Sequence, residues 1–236
     1  MRIRPSLILL DVDGTLTRDR STEALDPEAL EAVQEAAVKY KMGIVTGNAL
    51  IVAQALRRYI GLPRGSPVIA ENGCLIDYEG NVEELCEDLG LKGVAYELMK
   101  YIPGLRPTYQ FNYRKFDITL WYPGDANELI SKVVSKLSEM GLKDKVRVSH
   151  SGYALHLQPM GSSKAIAIKH LCSLMGINCG DVVYIGDSDT DLEVMDVVGW
   201  GVAVGNAVEE LRRRARIVLR NPSGKGVAEF VREYLE

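Results

Sequence analysis

Four short apolar segments constrain the fold of this chain more than any other feature of its sequence. They are SLILL (6–10), MGIV (42–45), VVYIG (182–186) and GVAV (201–204). Each segment ends in small polar or acidic residues and is followed by a helical pattern. Continuous apolar runs of this length are typical of parallel strands that are buried on both faces. Their alternation with helices predicts an α/β fold, in which helices cover both faces of a parallel sheet.

The sequence pattern changes between residues 81 and 156. Here FDITLWYP alternates between two faces, and a hairpin is expected around Ser151-Gly152, both typical of a sheet with one open face. The strand–helix alternation then returns. We therefore predict a core domain built from residues 1–80 and 157–236, with a smaller α+β domain at 81–156 inserted into it.

Polar residues follow the ends of all four apolar segments. They are Asp11 and Asp13 after the first, Thr46, Gly47 and Asn48 after the second, Asp187 and Asp191 after the third, and Asn206 after the fourth. In an open α/β sheet, ligands bind outside the carboxyl ends of the strands. These side chains are therefore expected to lie together at one edge of the sheet.

The residue types at this edge favour phosphoryl transfer. Carboxylates from separate strand ends would repel one another in a partly buried cleft, and Mg²⁺ would neutralise that repulsion. Thr46 offers a hydroxyl and Gly47 an unobstructed amide to a phosphate oxygen. Lys164, at the start of a predicted helix, supplies a positive charge for a carboxylate and a phosphate together.

The motifs DVDGT, TGN, Lys164 and GDSDTD, in this order, resemble the four motifs of the haloacid dehalogenase superfamily of phosphatases. The resemblance covers essentially the whole chain and implies a Rossmann-like, three-layer core. An insert between the second and third motifs resembles the C2-capped, Cof-type subgroup, with the insert as cap. IAENG and GNAVEEL further resemble the small archaeal phosphoglycolate phosphatases.

This resemblance implies a role for each residue at the predicted edge. Asp11 would be the nucleophile that forms an aspartyl-phosphate, and Asp13 the general acid and then the general base. The remaining roles are Mg²⁺ binding by Asp11, the Asp13 backbone carbonyl, Asp187 and Asp191, phosphate binding by Thr46, Gly47 and Lys164, and support of the loops by Thr15, Asn48 and Asn206.

The expected substrate is a small phosphorylated metabolite, with 2-phosphoglycolate as the first choice. A sugar phosphate or a mannosyl-3-phosphoglycerate-type substrate is the alternative within the same class. A phosphomutase, or a sensor that binds a phosphorylated ligand without catalysis, is the alternative from another class. Nothing in the insert decides between these substrates.

Composition excludes several other functions. A net charge of −4 and a pI near 5.6 argue against a nucleic-acid partner. The apolar segments are far shorter than the ~20 residues of a membrane span, which favours a cytoplasmic protein without a membrane partner. A homodimer through the insert is conceivable if the strand carrying Trp121 and Tyr122 has an open edge.

The four cysteines are Cys74, Cys86, Cys172 and Cys179, and their spacing matches no zinc motif. Free thiols are the favoured interpretation for a protein of the reducing cytosol. A Cys172–Cys179 disulfide is the alternative.

Overall fold

The structure is a computed structural model that describes residues 2–151 and 153–236. Its strands, numbered in chain order, are β1 Leu7–Leu10, β2 Met42–Val45, β3 Val68–Ala70, β4 Leu75–Tyr78, β5 Asn81–Glu84, β6 Arg106–Pro107, β7 Ile118–Trp121, β8 Val146–His150, β9 Leu155–Pro159, β10 Val182–Gly186, β11 Trp200–Ala203 and β12 Ile217–Val218. Its helices are α1 Pro27–Ala37, α2 Leu50–Ile60, α3 Leu91–Tyr101, α4 Ala126–Glu139, α5 Lys164–Met175, α6 Leu192–Met195, α7 Glu209–Arg214 and α8 Ser223–Tyr234.

The larger sheet has eight strands in the order β12-β11-β10-β1-β2-β3-β4-β5. The strands from β12 to β3 run parallel, and β4 and β5 add an antiparallel edge. Strand β1 is completely buried near the middle, between β10 and β2. The predicted α/β fold is confirmed. Strand β1 pairs with β10 on one side and with β2 on the other, so the order of the strands along the chain reverses at β1. In such a sheet, ligands bind at the carboxyl ends of the strands at this point.

Local signals in the sequence define the ends of the flanking helices. The side chain of Asp26 accepts hydrogen bonds from the N–H groups of Glu28 and Ala29 and so caps α1. Gly61, with φ of 92°, ends α2 in the left-handed conformation that glycine adopts most readily. Helix α1 packs against α8, and α5 packs against α6.

The smaller sheet has four antiparallel strands in the order β6-β7-β9-β8. Helix α3 packs against β7 and α4 against β8, around a separate apolar core. Strands β8 and β9 pair as the predicted hairpin, although Gly152 lies outside the described residues. We call residues 85–159, which contain this sheet and its two helices, the insert module.

The strands place the ends of this module differently from the predicted boundaries. Asn81–Glu84, assigned to the insert from sequence, pair with β4 in the larger sheet, and β9 runs on to Pro159. Strand β5 is mostly exposed at the sheet edge, so its sequence is as polar as that of the insert. Polarity alone therefore could not separate the two.

Residues of the larger sheet hold one loop of the insert module. The buried carboxylate of Glu71, just after β3, accepts hydrogen bonds from the N–H groups of Lys115, Phe116 and Asp117, at 2.7–3.1 Å. The side-chain amide of Asn72 donates to Asp117 Oδ2 at 2.8 Å. These bonds fix the approach to β7 against the carboxyl edge of the larger sheet.

The cysteines form two disulfides, Cys74–Cys86 and Cys172–Cys179. The favoured interpretation of free thiols is therefore wrong, and the alternative Cys172–Cys179 pairing is correct. The β4–β5 hairpin brings the Cα atoms of Cys74 and Cys86 to 4.9 Å, within the range that a disulfide spans. This proximity depends on strand register, which cysteine spacing does not reveal.

Two observations bear on the predicted partners. Among the described residues, no helix is both long and apolar enough to cross a membrane. Strand β7 lies between β6 and β9, and Trp121 pairs with Arg106, so Trp121 is not on an open edge. The condition attached to the predicted homodimer is therefore not met, and the homodimer stays a prediction.

Candidate active site

Three buried carboxylates meet at the carboxyl edge of the larger sheet. Asp11 follows β1, while Asp187 and Asp191 follow β10. One oxygen from each of the three lies within 4.8 Å of the others. Asp13, two residues beyond Asp11, is exposed at the same edge. The structure therefore brings the first and last predicted motifs together.

Gly14 permits the close approach of the two acidic loops. Its φ is 84°, and a Cβ atom here would lie 2.2 Å from Asp187 Oδ2. The hydroxyl of Thr15 donates to Asp187 Oδ1 at 3.4 Å, a long hydrogen bond. Asn206 donates to the carbonyl of Gly14 at 3.1 Å and accepts from the N–H of Ser223 at 2.6 Å. Thr15 and Asn206 thus have the contacts expected of supporting residues.

Lys164 links the first and last motifs. It is the first residue of α5, and its Nζ donates to Asp11 Oδ1 at 2.8 Å and to Asp191 Oδ1 at 2.7 Å. Burial alone would lower the pKa of Lys164, but the two carboxylates raise it well above its usual value. The buried lysine is therefore protonated and holds one oxygen of Asp11.

Asp191 is the most highly hydrogen-bonded of the three carboxylates. Its Oδ1 also accepts from the hydroxyl of Tyr184 at 2.5 Å. Its Oδ2 accepts from the backbone N–H groups of Asp187 and Ser188, at 3.0 and 2.9 Å. Burial alone would raise the pKa of Asp191, but Lys164 and these donors lower it below its usual value. Asp191 therefore anchors the loop that carries Asp187.

In the other two buried carboxylates the ionised form is disfavoured, because the neighbouring cations do not fully offset the effect of burial. Burial, followed by the neighbouring carboxylate of Asp191, raises the pKa of Asp187 to about 6, although Arg20 Nε contacts Asp187 Oδ2 at 2.7 Å. Burial likewise raises the pKa of Asp11, despite Lys164. Buried carboxylates with raised pKa values, converging within 4.8 Å, fit the oxygen-ligand preference of a hard divalent cation.

The second motif contacts the first through Asn48. Its Nδ2 donates to Asp13 Oδ2 at 2.7 Å and to the hydroxyl of Thr46 at 2.9 Å. Thr46 is buried at the end of β2, and Gly47 lies so close to Asn72 that a Cβ atom would meet its amide at 3.0 Å. The structure therefore places the second motif next to Asp13.

Four further residues contact the site, and sequence reasoning assigned none of them to it. They are Arg20 beside Asp187, Tyr184 beside Asp191, Gln110 beside Asn48 and Arg114 beside Gly47. A hydroxyl within the apolar strand β10 was the only available signal, and it points to Tyr184. Arg114 is buried and donates to the carbonyl of Gly47.

The fold and the site define an α/β protein with an acidic, lysine-containing centre and an inserted module. A family model described as haloacid dehalogenase-like hydrolase matches residues 8–111 and 109–231. The chain belongs to this family, as its motifs indicated.

Similar proteins extend over nearly the whole chain. The phosphoglycolate phosphatase of Pyrobaculum neutrophilum is 36% identical over 226 residues, which are 95% of this chain and 93% of the relative. That of Sulfolobus acidocaldarius is 35% identical over 97% of this chain and 96% of the relative.

Solved structures share the fold. A haloacid dehalogenase-like hydrolase from Bacteroides thetaiotaomicron matches with a TM-score of 0.83 at 23% identity, covering 97% of this chain and 99% of that one. A protein from Thermoplasma acidophilum matches with a TM-score of 0.80 at 22% identity, covering 98% of both chains.

Proposed function

We propose that this hydrolase is a Mg²⁺-dependent phosphatase that converts 2-phosphoglycolate to glycolate and phosphate through an aspartyl-phosphate at Asp11. The observation that carries the proposal is the placement of Asp11. Lys164 binds its Oδ1, and Asp187 and Asp191 each bring an oxygen within 4.8 Å of it. The names of the relatives from Pyrobaculum and Sulfolobus support the choice of substrate.

In the proposed first step, the Asp11 oxygen that Lys164 does not bind attacks phosphorus. The bond between phosphorus and the glycolate oxygen breaks, and Asp13 gives its proton to that oxygen. Thr46, the N–H of Gly47 and the Lys164 ammonium group would bind the phosphoryl oxygens. The products of this step are glycolate, an aspartyl-phosphate and an ionised Asp13.

In the proposed second step, Asp13 takes a proton from a water molecule whose oxygen attacks phosphorus. The bond between phosphorus and Asp11 breaks, so Asp11 is again a carboxylate and Asp13 is again protonated. Bound Mg²⁺ would neutralise charge on the phosphoryl oxygens. The Asp11 carboxylate, the Asp13 backbone carbonyl and Asp187 would hold the cation, and Asp191 would support them by anchoring the loop.

We also propose that the insert module is a cap domain. It contacts the second motif through Gln110 and Arg114, so it lies where it would cover a bound phosphoester. A cytoplasmic location remains part of the proposal, although disulfides are unusual in that compartment outside hyperthermophiles.

A panel of small phosphomonoesters tests the proposed function. The panel contains 2-phosphoglycolate, sugar phosphates and phosphoglycerate derivatives, assayed for phosphate release with Mg²⁺ and with EDTA. We expect the highest kcat/KM for 2-phosphoglycolate, no activity with EDTA, and none from the Asp11→Asn variant. Equal rates on sugar phosphates would contradict the substrate assignment, and isomerised substrate without free phosphate would indicate a phosphomutase.

A further inference from the structure

A buried glutamine of the insert module contacts the catalytic edge directly. Gln110 lies in the loop between β6 and β7 and is only 4% exposed. Its Nε2 donates to Asn48 Oδ1 at 2.6 Å, and its Oε1 accepts from the backbone N–H of Ala49 at 2.8 Å. Ala49 immediately precedes α2, so Gln110 also satisfies one of the free N–H groups at the start of that helix.

These contacts allow only one orientation of the two side-chain amides. The N–H of Ala49 can only donate, and so can the Arg114 guanidinium group, whose Nη2 lies 3.4 Å from Gln110 Oε1. The oxygen of Gln110 must therefore face both donors, and its amide nitrogen must face Asn48. Asn48 then has its oxygen towards Gln110 and its amide nitrogen towards Asp13.

The hydrogen bond from Asn48 selects one oxygen of the exposed Asp13 side chain. Asn48 Nδ2 donates to Asp13 Oδ2 at 2.7 Å, which leaves Oδ1 to carry the proton. An exposed carboxyl group without this contact would sample several rotamers. If Asn48 turned over, its oxygen would face Asp13 Oδ2, which it would repel when Asp13 is ionised and from which it would accept a hydrogen bond when Asp13 is protonated.

We propose that Gln110 is a positioning residue, which orients the carboxyl group of Asp13 through the side chain of Asn48. The inference rests on the proposed function, because it takes Asp13 to be the general acid. The insert module then does more than cover the substrate. Its loop sets the geometry of proton transfer to the leaving oxygen, a geometry to which rates are highly sensitive.

Substrates that differ in their need for a proton test this role. Phenyl phosphate and 4-nitrophenyl phosphate have equal charge and similar size, but the nitrophenolate departs with much less need for protonation. The leaving group departs in the first step, so kcat/KM reports on substrate binding and that step, and not on hydrolysis of the aspartyl-phosphate. For Gln110→Met, we expect kcat/KM to fall roughly tenfold more on phenyl phosphate than on 4-nitrophenyl phosphate.

A double variant identifies the group through which Gln110 acts. Asp13→Asn removes the general acid, so adding Gln110→Met should leave the ratio of the two kcat/KM values unchanged. Asn112→Ala is the matched control, because Asn112 is exposed in the same loop and its only described hydrogen bond is through its backbone carbonyl. This control should leave the ratio at the wild-type value.

Several results would overturn the inference. Equal losses of kcat/KM on both esters would mean that Gln110 only closes the module over the substrate. If Gln110→Met still changed the ratio of the two kcat/KM values in the Asp13→Asn protein, Gln110 would act through a group other than Asp13. If Gln110→Met does not fold, Gln110→Glu keeps both acceptor contacts but cannot donate to Asn48, and the same change of ratio is expected. Wild-type protein that releases phosphate from neither ester would overturn the proposed function as well, so the two failures are distinguishable.

Discussion

At the scale of single residues, Lys164 determines the charge balance of the site. It is 3% exposed and bonds two buried carboxylates that belong to different motifs. A buried ion pair contributes little net stability when complete, because both partners lose their hydration. Removing one partner is costly, because the other charges stay buried and unpaired.

Replacement of Lys164 tests this balance. We expect Lys164→Met to lower the free energy of unfolding at neutral pH by about 3 kcal/mol, and to abolish phosphate release. Urea unfolding measures the first effect. Lys169→Met, an exposed position on the same helix, is the control and should change stability by less than about 0.5 kcal/mol. Equal effects of the two substitutions would contradict the assigned role.

The raised pKa of Asp187 predicts how pH affects the metal-free protein. This pKa is about 6 in the folded protein and 3.8 for the free side chain. The contribution of Asp187 to the free energy of unfolding is therefore fully present below pH 3.8, and it is lost as the pH rises through about 6. Because the proposed Mg²⁺ would bind the ionised carboxyl group, it should raise Tm more at about pH 7.5 than at about pH 5.

Thermal unfolding with and without Mg²⁺ at the two pH values measures this difference. Asp187→Asn is the matched variant, and it should lose most of the Mg²⁺-dependent rise in Tm at the higher pH. A rise that is independent of pH, or that survives the substitution, would show that the cation binds elsewhere.

At the scale of secondary structure elements, Glu71 connects the two sheets. Its carboxylate accepts three backbone N–H groups from the segment that leads into β7. Burial raises the pKa of Glu71, although the three donors lower it. The insert module is therefore held at the carboxyl edge of the larger sheet by a buried contact as well as by its two chain connections.

Two glutamates that bind the same residue allow a matched test of this connection. Glu71 bonds the backbone of Lys115, whereas the exposed Glu84 bonds its ammonium group at 2.7 Å. Glu71→Ala leaves three N–H groups without a partner and should cost about 3 kcal/mol of unfolding free energy. Glu84→Ala should cost less than about 1 kcal/mol, because exposed ion pairs are weak. Urea unfolding of both variants distinguishes them, and similar costs would exclude the buried connection.

The sequence predicted the elements that carry the motifs, because their apolar runs and helix caps are local signals. Asp26, Gly61 and Lys164 all occur where those signals place a helix end. Gln110 and Glu71 were not predicted, because their partners lie more than forty residues away along the chain. Such contacts depend on how the insert module packs, which no local pattern encodes.

At the scale of the whole molecule, two disulfides close short loops of the larger domain. Cys74–Cys86 joins residues on either side of the β4–β5 hairpin, with a separation of 12 residues. Cys172–Cys179 joins the last turn of α5 to the segment before β10, with a separation of 7. Both lie outside the insert module apart from Cys86, which is its second residue, so they stabilise the larger sheet rather than the contacts at the site.

Removal of each disulfide should lower the free energy of unfolding by about 2–4 kcal/mol. The Cys74→Ser/Cys86→Ser protein should lose more than the Cys172→Ser/Cys179→Ser protein, because the longer loop restricts the unfolded chain more. Urea unfolding measures both losses, and wild-type protein treated with a reducing agent should lose at least as much as either variant. Unchanged stability after complete reduction would contradict this account of the disulfides.

The central claim is that Asp11 accepts the phosphoryl group, and rapid acid quenching tests it most directly. Protein mixed with 2-phosphoglycolate and Mg²⁺ is quenched during turnover, digested and analysed by mass spectrometry. We expect one phosphoryl group on the peptide that contains Asp11, and none in the Asp11→Asn protein, which should also release no phosphate. Phosphate release by Asp11→Asn, or a phosphoryl group on any other residue, would contradict the account.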